Sequence, residues 1–280
     1  MPDTPLKARV TPTALTIAGS DSGGGAGIQA DLKTFAAHGV YGASAVSALT
    51  AQNTLGVQGV MPVSAEFLAA QVQSVLSDLP VAAIKTGMLA DAAAIRAVVV
   101  ALRDVSAPLV VDPVMVATSG DRLLPASAVS ALRDTLLPLA HLLTPNLPEA
   151  AVLLGADVAT DVDQMLLQAK SLLAFGPRAV LLKGGHLPSA DAVDVYCDSR
   201  GCQLLRAPRV ATHNTHGTGC TLAAAACARL ALGDSAELAA RHAKSYLYQA
   251  LCHADKVAVG AGAGPVHHFF FHTAYEVSHE

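Results

Sequence analysis

Short apolar runs alternate along the chain with longer stretches of helical periodicity. Apolar runs between turn residues predict buried strands, and apolar positions three and four apart predict helices. Predicted strands cover residues 14–19, 40–49, 82–86, 108–112, 139–144 and 179–182, and predicted helices cover 28–38, 64–78, 91–103, 125–136 and 235–254, with another from 221. Such alternation is typical of a parallel sheet with helices on both faces.

Two later strand-like runs break this alternation. Residues 192–197 and 203–210 flank the turn Asp198-Ser199-Arg200-Gly201, and this arrangement predicts a hairpin. Because a hairpin joins antiparallel strands, the α/β sheet is predicted to be mostly parallel with an antiparallel edge.

The composition fits a sheet that is buried on both faces. Hydrophobic residues make up 52% of the 280 residues, and charged residues make up 14%, as expected for many fully buried elements. This length allows one large domain or two small ones. No charge-rich or Pro/Ser-rich linker divides the chain, so we predict a single domain over residues 1–280.

Composition and charge also disfavour several classes of protein. The most apolar runs, residues 92–102 and 222–232, are interrupted by Arg96 and Arg229 and are too short to span a bilayer. No apolar signal segment precedes the first strand, which favours a cytoplasmic location. The net charge is −4 and the basic residues are scattered, so we expect neither a membrane nor nucleic acid as a partner.

The five cysteines are an odd number without a Cys-x-x-Cys pair. This pattern disfavours both a disulfide framework and a structural zinc site, and it predicts that most of the thiols are reduced and buried. The eleven histidines include no His-Glu-x-x-His motif, so a histidine metal site is not expected.

A glycine-rich turn, Asn214-Thr215-His216-Gly217-Thr218-Gly219-Cys220, runs directly into a helix of small residues. Amides at the start of a helix lack acceptors, and glycines let an anion approach them. The turn is therefore predicted to hold phosphate, although a turn that only caps a buried helix has the same pattern. Cys220 adds a second possibility, because the positive end of the helix dipole favours a thiolate.

A second glycine loop, residues 20–27, follows the first predicted strand. It is not a dinucleotide fingerprint, since Ile28 stands where the third glycine would fall, and the chain has no Gly-x-x-x-x-Gly-Lys-Ser/Thr loop. We expect this loop to hold something other than a dinucleotide. Asp31 follows it; on its own pattern this residue could simply complement the helix dipole.

Polar side chains follow several predicted strands, where ligands of open α/β sheets bind. Gln52 offers a donor and an acceptor to a small polar ring, or is an ordinary turn residue. Asp112 and Glu149 are the natural pair to hold Mg²⁺ directly or through water, although Glu149 could simply begin a helix after Pro148. Lys183 follows an apolar strand and suits a polyphosphate, unless it is only a solvated lysine.

These motifs, in this order, resemble the bacterial hydroxymethylpyrimidine/phosphomethylpyrimidine kinases of thiamine biosynthesis, within the ribokinase-like superfamily. The resemblance covers nearly the whole chain. It rests on residues 14–21, 24–35, 49–54, 85–89, 119–121, 144–150, 183–186, 214–220 and 264–269.

The resemblance implies a ribokinase-like three-layer α/β/α sandwich. It also implies ATP- and Mg²⁺-dependent phosphorylation of 4-amino-5-hydroxymethyl-2-methylpyrimidine to its monophosphate and then to its pyrophosphate, at one site. Gln52 would read the aminopyrimidine edge, and the ring would be enclosed by Gly19, Asp31, Met88, Val114 and Met115. The ATP phosphates and Mg²⁺ would be bound by Asn146, Glu149 and Lys183, and an anion hole would be formed by Gly217, Thr218, Gly219 and Cys220.

Lys183 and Cys220 are the catalytic residues that the resemblance implies. Cys220 stands where many ribokinase-like sugar kinases have an aspartate base, so it either accepts the hydroxyl proton or fills space beside the anion hole. The chain departs from the family pattern at Asp21-Ser22-Gly23, where Asp-Pro-Ser is usual, and at His213, where Lys or Arg often stands. A mostly neutral histidine would attract phosphate less strongly.

Two other functions stay open from the sequence. One is a pyridoxine or pyridoxal kinase of vitamin B6 salvage, because relatives of this family phosphorylate a hydroxymethyl group on a different six-membered ring. The other is a pyrimidine-binding protein without catalytic activity. The family resemblance also implies a homodimer.

Overall fold

An eight-stranded sheet organises the chain in the computed structural model, which describes residues 11–115, 126–185 and 187–272. Ten strands occur in this part of the chain: β1 Thr13–Ala18, β2 Tyr41–Val46, β3 Ala48–Asn53, β4 Gly56–Pro62, β5 Val81–Thr86, β6 Leu109–Val111, β7 Leu142–Leu143, β8 Ala179–Leu182, β9 Asp191–Asp198 and β10 Gly201–Pro208. The large sheet has the order β10-β9-β8-β7-β6-β5-β1-β2, and β3 and β4 form a separate pair.

The large sheet is parallel from β2 to β8. Strand β9 is antiparallel to β8, and β10 is antiparallel to β9. These pairings confirm the predicted sheet, which is mostly parallel with an antiparallel edge. They also place the carboxyl ends of β1, β5, β6, β7 and β8 along one edge.

Eight α-helices flank the strands in the described residues: α1 Gly27–Ala37, α2 Ala65–Leu76, α3 Ala92–Leu102, α4 Ala126–Ala131, α5 Leu147–Leu154, α6 Val162–Leu173, α7 Thr218–Ala231 and α8 Ala236–Cys252. Five of them begin after a side-chain cap, and Asn146 and Asp161 are the caps of α5 and α6. Ser64, Asp91 and Ser235 accept hydrogen bonds from the backbone amides of the first turns of α2, α3 and α8. Ser64, Asp91 and Ser235 are also the first residues of the predicted helices. Ser and Asp mark helix starts because they satisfy amides that have no partner within the helix.

Two hydrophobic clusters lie on opposite faces of the sheet. One joins side chains such as Leu15 and Ile17 of β1 to residues of α2, α3, α5 and α6. The other joins Ala14 of β1 to Phe35 of α1 and to the small residues of α7 and α8. Successive residues of a strand point to opposite faces, so this division gives the predicted three layers of helices, sheet and helices.

The structure differs from the predicted elements between residues 40 and 62. The predicted strand 40–49 is interrupted at Ser47, and β3 continues through Gln52 to pair with β4 in an antiparallel hairpin. Gln52 therefore lies inside a strand of a separate hairpin, and the prediction that it follows a strand of the main sheet is wrong. Exposed and half-buried positions alternate along β3, as in a two-stranded ribbon that has one face in solvent.

Other differences concern short or polar elements. Helix α6 and strand β4 were not predicted. The predicted helix 125–136 continues from α4 as a π-helical turn, Leu132–Leu136, and a 3₁₀ turn, Leu137–Leu139. The predicted motif residues Ser119, Gly120, Asp121 and His186 lie outside the described residues.

Two of the cysteines are paired, which was not predicted, while the other three, Cys220, Cys227 and Cys252, are free, so most of the thiols are reduced as predicted, although of these only Cys227 is fully buried. Cys197 of β9 and Cys202 of β10 are directly opposite in the hairpin and are joined by a disulfide, with their Cα atoms 4.1 Å apart. Cross-strand neighbours lie this close because pairing of antiparallel strands sets their spacing. Spacing along the sequence did not indicate the pair.

In the ranges that the structure describes, no helix has both the length and the apolar character needed to cross a membrane.

Candidate active site

A cleft of about 620 Å³ runs along the edge where the parallel strands end. Strands β1, β5, β6, β7 and β8 each place a residue at its wall, directly or just beyond their last position. Every residue that the sequence indicated for binding or chemistry lines the cleft, with the exception of Asp31: Gly19, Gln52, Met88, Asp112, Val114, Met115, Asn146, Glu149, Lys183, Gly217, Thr218, Gly219 and Cys220.

The glycine-rich turn 214–220, hereafter the anion loop, forms the start of α7. Gly217 precedes the helix in a left-handed conformation with φ 75°, which glycine adopts without steric cost. A Cβ atom at this position would overlap the carbonyl oxygen of Gly25 in the first glycine loop. Among the described residues, the amides of Gly219 and Cys220 donate to no protein acceptor. This is the geometry of an anion site at a helix N-terminus.

The first glycine loop is held by Asp21. Its carboxylate accepts hydrogen bonds from the amides of Gly23, Gly25 and Ala26, at 2.8, 3.0 and 2.8 Å. It also accepts one from His216 Nε2 at 2.8 Å. The two glycine loops are thus joined at the edge of the cleft.

Lys183 brings a positive charge to the anion loop. Its Nζ donates to Asp112 Oδ1 at 2.8 Å and lies 3.3 Å from the position that a Cβ atom on Gly219 would occupy. Burial alone would lower the pKa of this lysine, but the carboxylates of Asp112 and Glu149 raise it above its ordinary value. Lys183 is therefore charged, and the interpretation as a solvated lysine is wrong because this residue lies in the cleft wall.

Glu149 is both a helix-capping residue and a wall of the cleft. Its Oε2 accepts from the Asn146 amide, and Asn146 Oδ1 accepts from the Glu149 amide, each at 2.8 Å. This capping box satisfies amides at the start of α5. Burial, with Asp112 as a second contributor, raises the pKa of Glu149 to about 7, against the lowering effect of Lys183.

Asp112 and Glu149 are the residues that could hold a cation. In the described ranges no group of three or more His, Cys, Asp or Glu side chains is arranged as a metal site, and Mg²⁺ commonly takes only one or two carboxylates and keeps several waters. Asp112 Oδ1 contacts Lys183 and Thr144, while its Oδ2 has no partner among these residues. Asp112 Oδ2 therefore offers a free carboxylate oxygen to Mg²⁺, and a cation bound there would offset the repulsion between the two carboxylates.

Cys220 is less acidic than its place in the helix predicted. Burial is the main cause, and together with the carboxylates of Asp31 and Asp112 it raises the pKa of the thiol to about 11, despite the opposing effect of Lys85. The expectation of a thiolate stabilised by the helix dipole is not met, because loss of hydration outweighs the dipole here.

Asp31 lies behind the cleft in a buried ion pair. Both of its oxygens accept from Lys85 Nζ, at 2.9 and 2.8 Å, and Thr16 Oγ1 donates to it at 2.6 Å. The side chains of Asp31 and Lys85 are 0% exposed. Because both oxygens are engaged in this way, Asp31 does not line the cleft. Its interpretation as a residue that only complements the helix dipole is incomplete, because that interpretation does not include the ion pair with Lys85.

Lys85 was part of a predicted motif but was not singled out as a site residue. It lines the cleft. Burial alone would lower its pKa, yet the Asp31 carboxylate raises it well above the ordinary value. An apolar strand that ends in lysine is the signal that could have identified this residue, as it did for Lys183.

The other end of the cleft is shaped to enclose a small ring. A Cβ atom on Gly19 would overlap the terminal methyl of Met88, so these two residues are in contact. Gln52 reaches the cleft from the β3–β4 hairpin, and its backbone is held by Ser22 Oγ, which accepts from the Gln52 amide at 2.8 Å and donates to its carbonyl at 2.7 Å. Met115 is 4% exposed and Val114 lines the same end.

Sequence reasoning missed a third buried pair at the cleft wall. Lys244 Nζ of α8 donates to Asp194 Oδ2 at 2.7 Å, and Asp194 Oδ1 accepts from the Gly184 amide at 2.9 Å. The pair therefore fixes the backbone next to Lys183. Neither residue belongs to a short motif, so no local pattern could have identified them.

Known proteins match this chain over most of its length. A family model described as phosphomethylpyrimidine kinase matches residues 21–267. The hydroxymethylpyrimidine/phosphomethylpyrimidine kinase of Rhizobium meliloti strain 1021 is 54% identical over 260 residues, which cover 93% of this chain and 98% of that protein.

Solved structures share the fold. The pyridoxal kinase of Bacillus subtilis, in a complex with ADP, has a TM-score of 0.85 at 36% identity, covering 93% of this chain and 98% of that one. A phosphomethylpyrimidine kinase from Clostridium difficile 630 has a TM-score of 0.76 at 41% identity, covering 85% of this chain and 98% of that one.

Proposed function

The chain belongs to the phosphomethylpyrimidine kinase family and has the ribokinase-like fold, and we propose that it is an ATP-dependent kinase of thiamine biosynthesis. It transfers a phosphoryl group from ATP to 4-amino-5-hydroxymethyl-2-methylpyrimidine, and then a second one to the resulting monophosphate. The observation that carries this proposal is the union, in one cleft, of an anion loop with Lys183 and a small-ring pocket that includes Gln52.

Phosphoryl transfer depends mainly on positioning and on stabilising charge. The free amides of Gly219 and Cys220 and the ammonium of Lys183 converge where charge would build on the transferred group. The acceptor hydroxyl would be held on the side of Gly19 and Met88, opposite the nucleotide. The related pyridoxal kinase of Bacillus subtilis was solved in a complex with ADP, which supports nucleotide binding by this chain.

Gln52 is the proposed reader of the pyrimidine. An aminopyrimidine edge presents a donor beside a ring acceptor, and a glutamine amide can pair with both. Ser22 contacts only the Gln52 backbone, and the side-chain Oε1 accepts from Thr50 Oγ1 at 3.3 Å. The side-chain NH₂ group has no partner among the described residues, and the Oε1 can accept a second hydrogen bond.

Mg²⁺ is the proposed metal, held by Asp112 and Glu149 with water completing its coordination. When bound, it would neutralise charge on the ATP phosphates. Asn146 and Glu149 cap α5 at this point, so the start of that helix would face the same phosphates and favour their negative charge.

We propose that proton removal by Cys220 contributes less to catalysis than the stabilisation of charge by the anion loop. A thiol with a pKa near 11 is almost wholly protonated at neutral pH, and a loose phosphoryl-transfer transition state needs little proton removal before bond breaking. Cys220 then fills the space between the loop and the acceptor hydroxyl.

The direct test mixes purified protein with Mg-ATP and hydroxymethylpyrimidine, with pyridoxal in a parallel reaction, and follows the products by mass spectrometry. The proposal expects a monophosphate that gives way to a pyrophosphate. Phosphorylation of pyridoxal alone would instead assign vitamin B6 salvage, an alternative favoured by the higher TM-score of the pyridoxal kinase structure. Binding of pyrimidine without any product would assign a non-catalytic protein.

We also propose that the protein is a homodimer. Leu49 and Met61 are paired across the outward face of the β3–β4 hairpin and are 50% and 69% exposed. Neighbouring large apolar side chains that are exposed in this way form a candidate contact surface. Light scattering after gel filtration would measure the mass, with Leu49→Lys as the disrupting variant; a monomeric wild type would overturn this proposal.

A further inference from the structure

The glycine-rich segment 260–264 has no role in the proposed reaction, yet it lies between two parts of the cleft. We propose that this segment, here called the glycine strap, holds the β3–β4 hairpin against the anion loop. In this arrangement Thr54 and Gly262 are positioning residues for Gln52. The inference rests on the proposed function only for the pyrimidine that Gln52 would bind.

One end of the strap contacts the tip of the hairpin. The Gly262 amide donates to Thr54 Oγ1 at 3.1 Å. A Cβ atom on Gly262 would overlap the carbonyl oxygen of Thr54, and one on Gly260 would overlap the Thr54 hydroxyl. Thr54 stands two residues after Gln52, so the strap touches the hairpin next to its cleft residue.

The other end of the strap contacts the anion loop. The Gly264 carbonyl accepts from the His216 amide at 3.0 Å, and Pro265 forms a bridge with His216. A Cβ atom on Gly264 would overlap Oδ1 of Asn214. The strap therefore joins the hairpin tip to the residues that precede the helix start.

The alternation of residues along the strap follows from these contacts. Gly260, Gly262 and Gly264 each face a neighbour that leaves no room for a side chain, while Ala261 between them is exposed. Glycine is needed on the inner positions because the backbone itself is the contact surface. A flexible linker would have no such requirement on alternate residues.

The first glycine loop closes a ring of contacts. Ser22 holds the Gln52 backbone, and Asp21 of the same loop is bonded to His216 of the anion loop. The hairpin is thus fixed on one side by Ser22 and at its tip by Thr54, and both attachments lead to His216.

Such support matters because the hairpin is a separate two-stranded sheet, and an isolated pair of strands is only marginally stable in water. Loss of the strap contact would let the tip of the hairpin move and would misplace Gln52. Thr54 and Gly262 contact each other at the hairpin end of the strap, whereas the anion loop contacts the other end through Gly264. The defect expected of variants at Thr54 and Gly262 is therefore specific to the pyrimidine.

Four variants test the proposal. Thr54→Val removes the hydroxyl and keeps the shape, whereas Thr54→Ser keeps the hydroxyl. Gly262→Ala forces the strap away from Thr54, and Ala261→Ser changes an exposed residue of the same strap. For each variant, KM is measured separately for hydroxymethylpyrimidine and for ATP, and amide hydrogen exchange of residues 48–62 is followed in the absence of ligands.

We expect Thr54→Val to raise KM for the pyrimidine about fivefold, as for one lost hydrogen bond, and Gly262→Ala to raise it about tenfold or more. KM for ATP stays within about twofold, and exchange of residues 48–62 becomes faster. Thr54→Ser and Ala261→Ser behave like the wild type.

Wild-type exchange and wild-type KM in folded Thr54→Val and Gly262→Ala would overturn the proposal. If Gly262→Ala fails to fold, Thr54→Val decides, because it keeps the number of non-hydrogen atoms in the side chain. If the wild type does not phosphorylate the pyrimidine, the proposed function fails, while the exchange of residues 48–62 still tests the strap.

Discussion

His216 Nε2 and Asp21 Oδ2 lie 2.8 Å apart although 195 residues separate them in the chain. Burial alone would raise the pKa of Asp21, but hydrogen bonds from His216 and from the amides of Ala26 and Gly23 hold it below its ordinary value. The ionised carboxylate thus joins the first glycine loop to the anion loop. This bond fixes the distance between the ring pocket and the anion site.

Replacement of His216 is expected to separate the two glycine loops. His216→Ala leaves Asp21 without its side-chain partner, which should lower the free energy of unfolding by about 1–3 kcal/mol. We also expect a loss of at least about tenfold in kcat/KM, because small misplacement of reacting groups is costly. Urea unfolding and steady-state kinetics measure the two effects. An active variant with wild-type kcat/KM would show that the loops are positioned without this bond.

Lys183 is expected to contribute mainly to the rate. Lys183→Met removes the charge beside the anion loop and should lower kcat about 10²- to 10³-fold, the range seen when one transition-state donor is lost. Lys183→Arg should not fully restore it, because a planar and bulkier guanidinium does not place its charge where the compact ammonium contacts Asp112. Lys170→Met is the matched control, since Lys170 is exposed in α6. A Lys183→Met enzyme with more than about a third of the wild-type kcat would contradict this role.

Cys220→Ser tests whether the thiol is the base. If burial keeps the thiol protonated, as a pKa of about 11 implies, we expect the serine enzyme to keep kcat within about tenfold of the wild type. The two enzymes should also have the same dependence of kcat on pH from 6 to 9. A loss of about 10³-fold or more would instead support Cys220 as the base that accepts the hydroxyl proton.

Removing one partner of the buried Asp31–Lys85 pair should destabilise the protein more than replacing both partners with apolar residues. Asp31→Asn leaves a buried ammonium without a counter-charge and is expected to lower the free energy of unfolding by about 3–5 kcal/mol. The double variant Asp31→Leu, Lys85→Met removes both charges and should cost less. Chemical denaturation of the two variants makes the comparison. Equal losses would mean that packing, and not the unpaired charge, sets the cost.

His268 should make stability depend on pH. Burial is the main cause that lowers its pKa to about 4, so between pH 6.5 and 4 the unfolded chain binds a proton that the folded chain does not. The stability linked to this group is complete above pH 6.5 and is lost as the pH falls, by an amount of the order of 3 kcal/mol. Unfolding free energies of wild type and His268→Gln, measured from pH 7 to 4.5, should converge as the pH falls. A constant difference would contradict this.

Sequence patterns identified most of the sheet and most of the cleft. Apolar strands that end in a polar residue led to Asp112 and Lys183, because the parallel topology brings the ends of such strands together. The anion loop was identifiable from glycines that precede a helix of small residues. These features are local, and the topology that aligns them follows from the alternation of strands and helices.

What the sequence missed depends on contacts between distant segments. The position of Gln52 in a hairpin, the pairing of Asp31 with Lys85, and the role of Asp194 beside Gly184 all require the fold to be known. The pKa of the Cys220 thiol was also not predictable from local sequence, since it is set mainly by burial in the folded protein and not by the place of Cys220 in α7.

The strap and its bond to His216 bear on the order of events during synthesis. The last strand of the large sheet ends at Pro208, but the cleft is complete only when the segment that includes Gly264 and Pro265 has reached the anion loop. A nascent chain can therefore assemble its sheet while it still lacks a finished site. Enzyme activity would appear only after the segment that includes Gly264 and Pro265 has been made, so shorter nascent chains would not consume ATP.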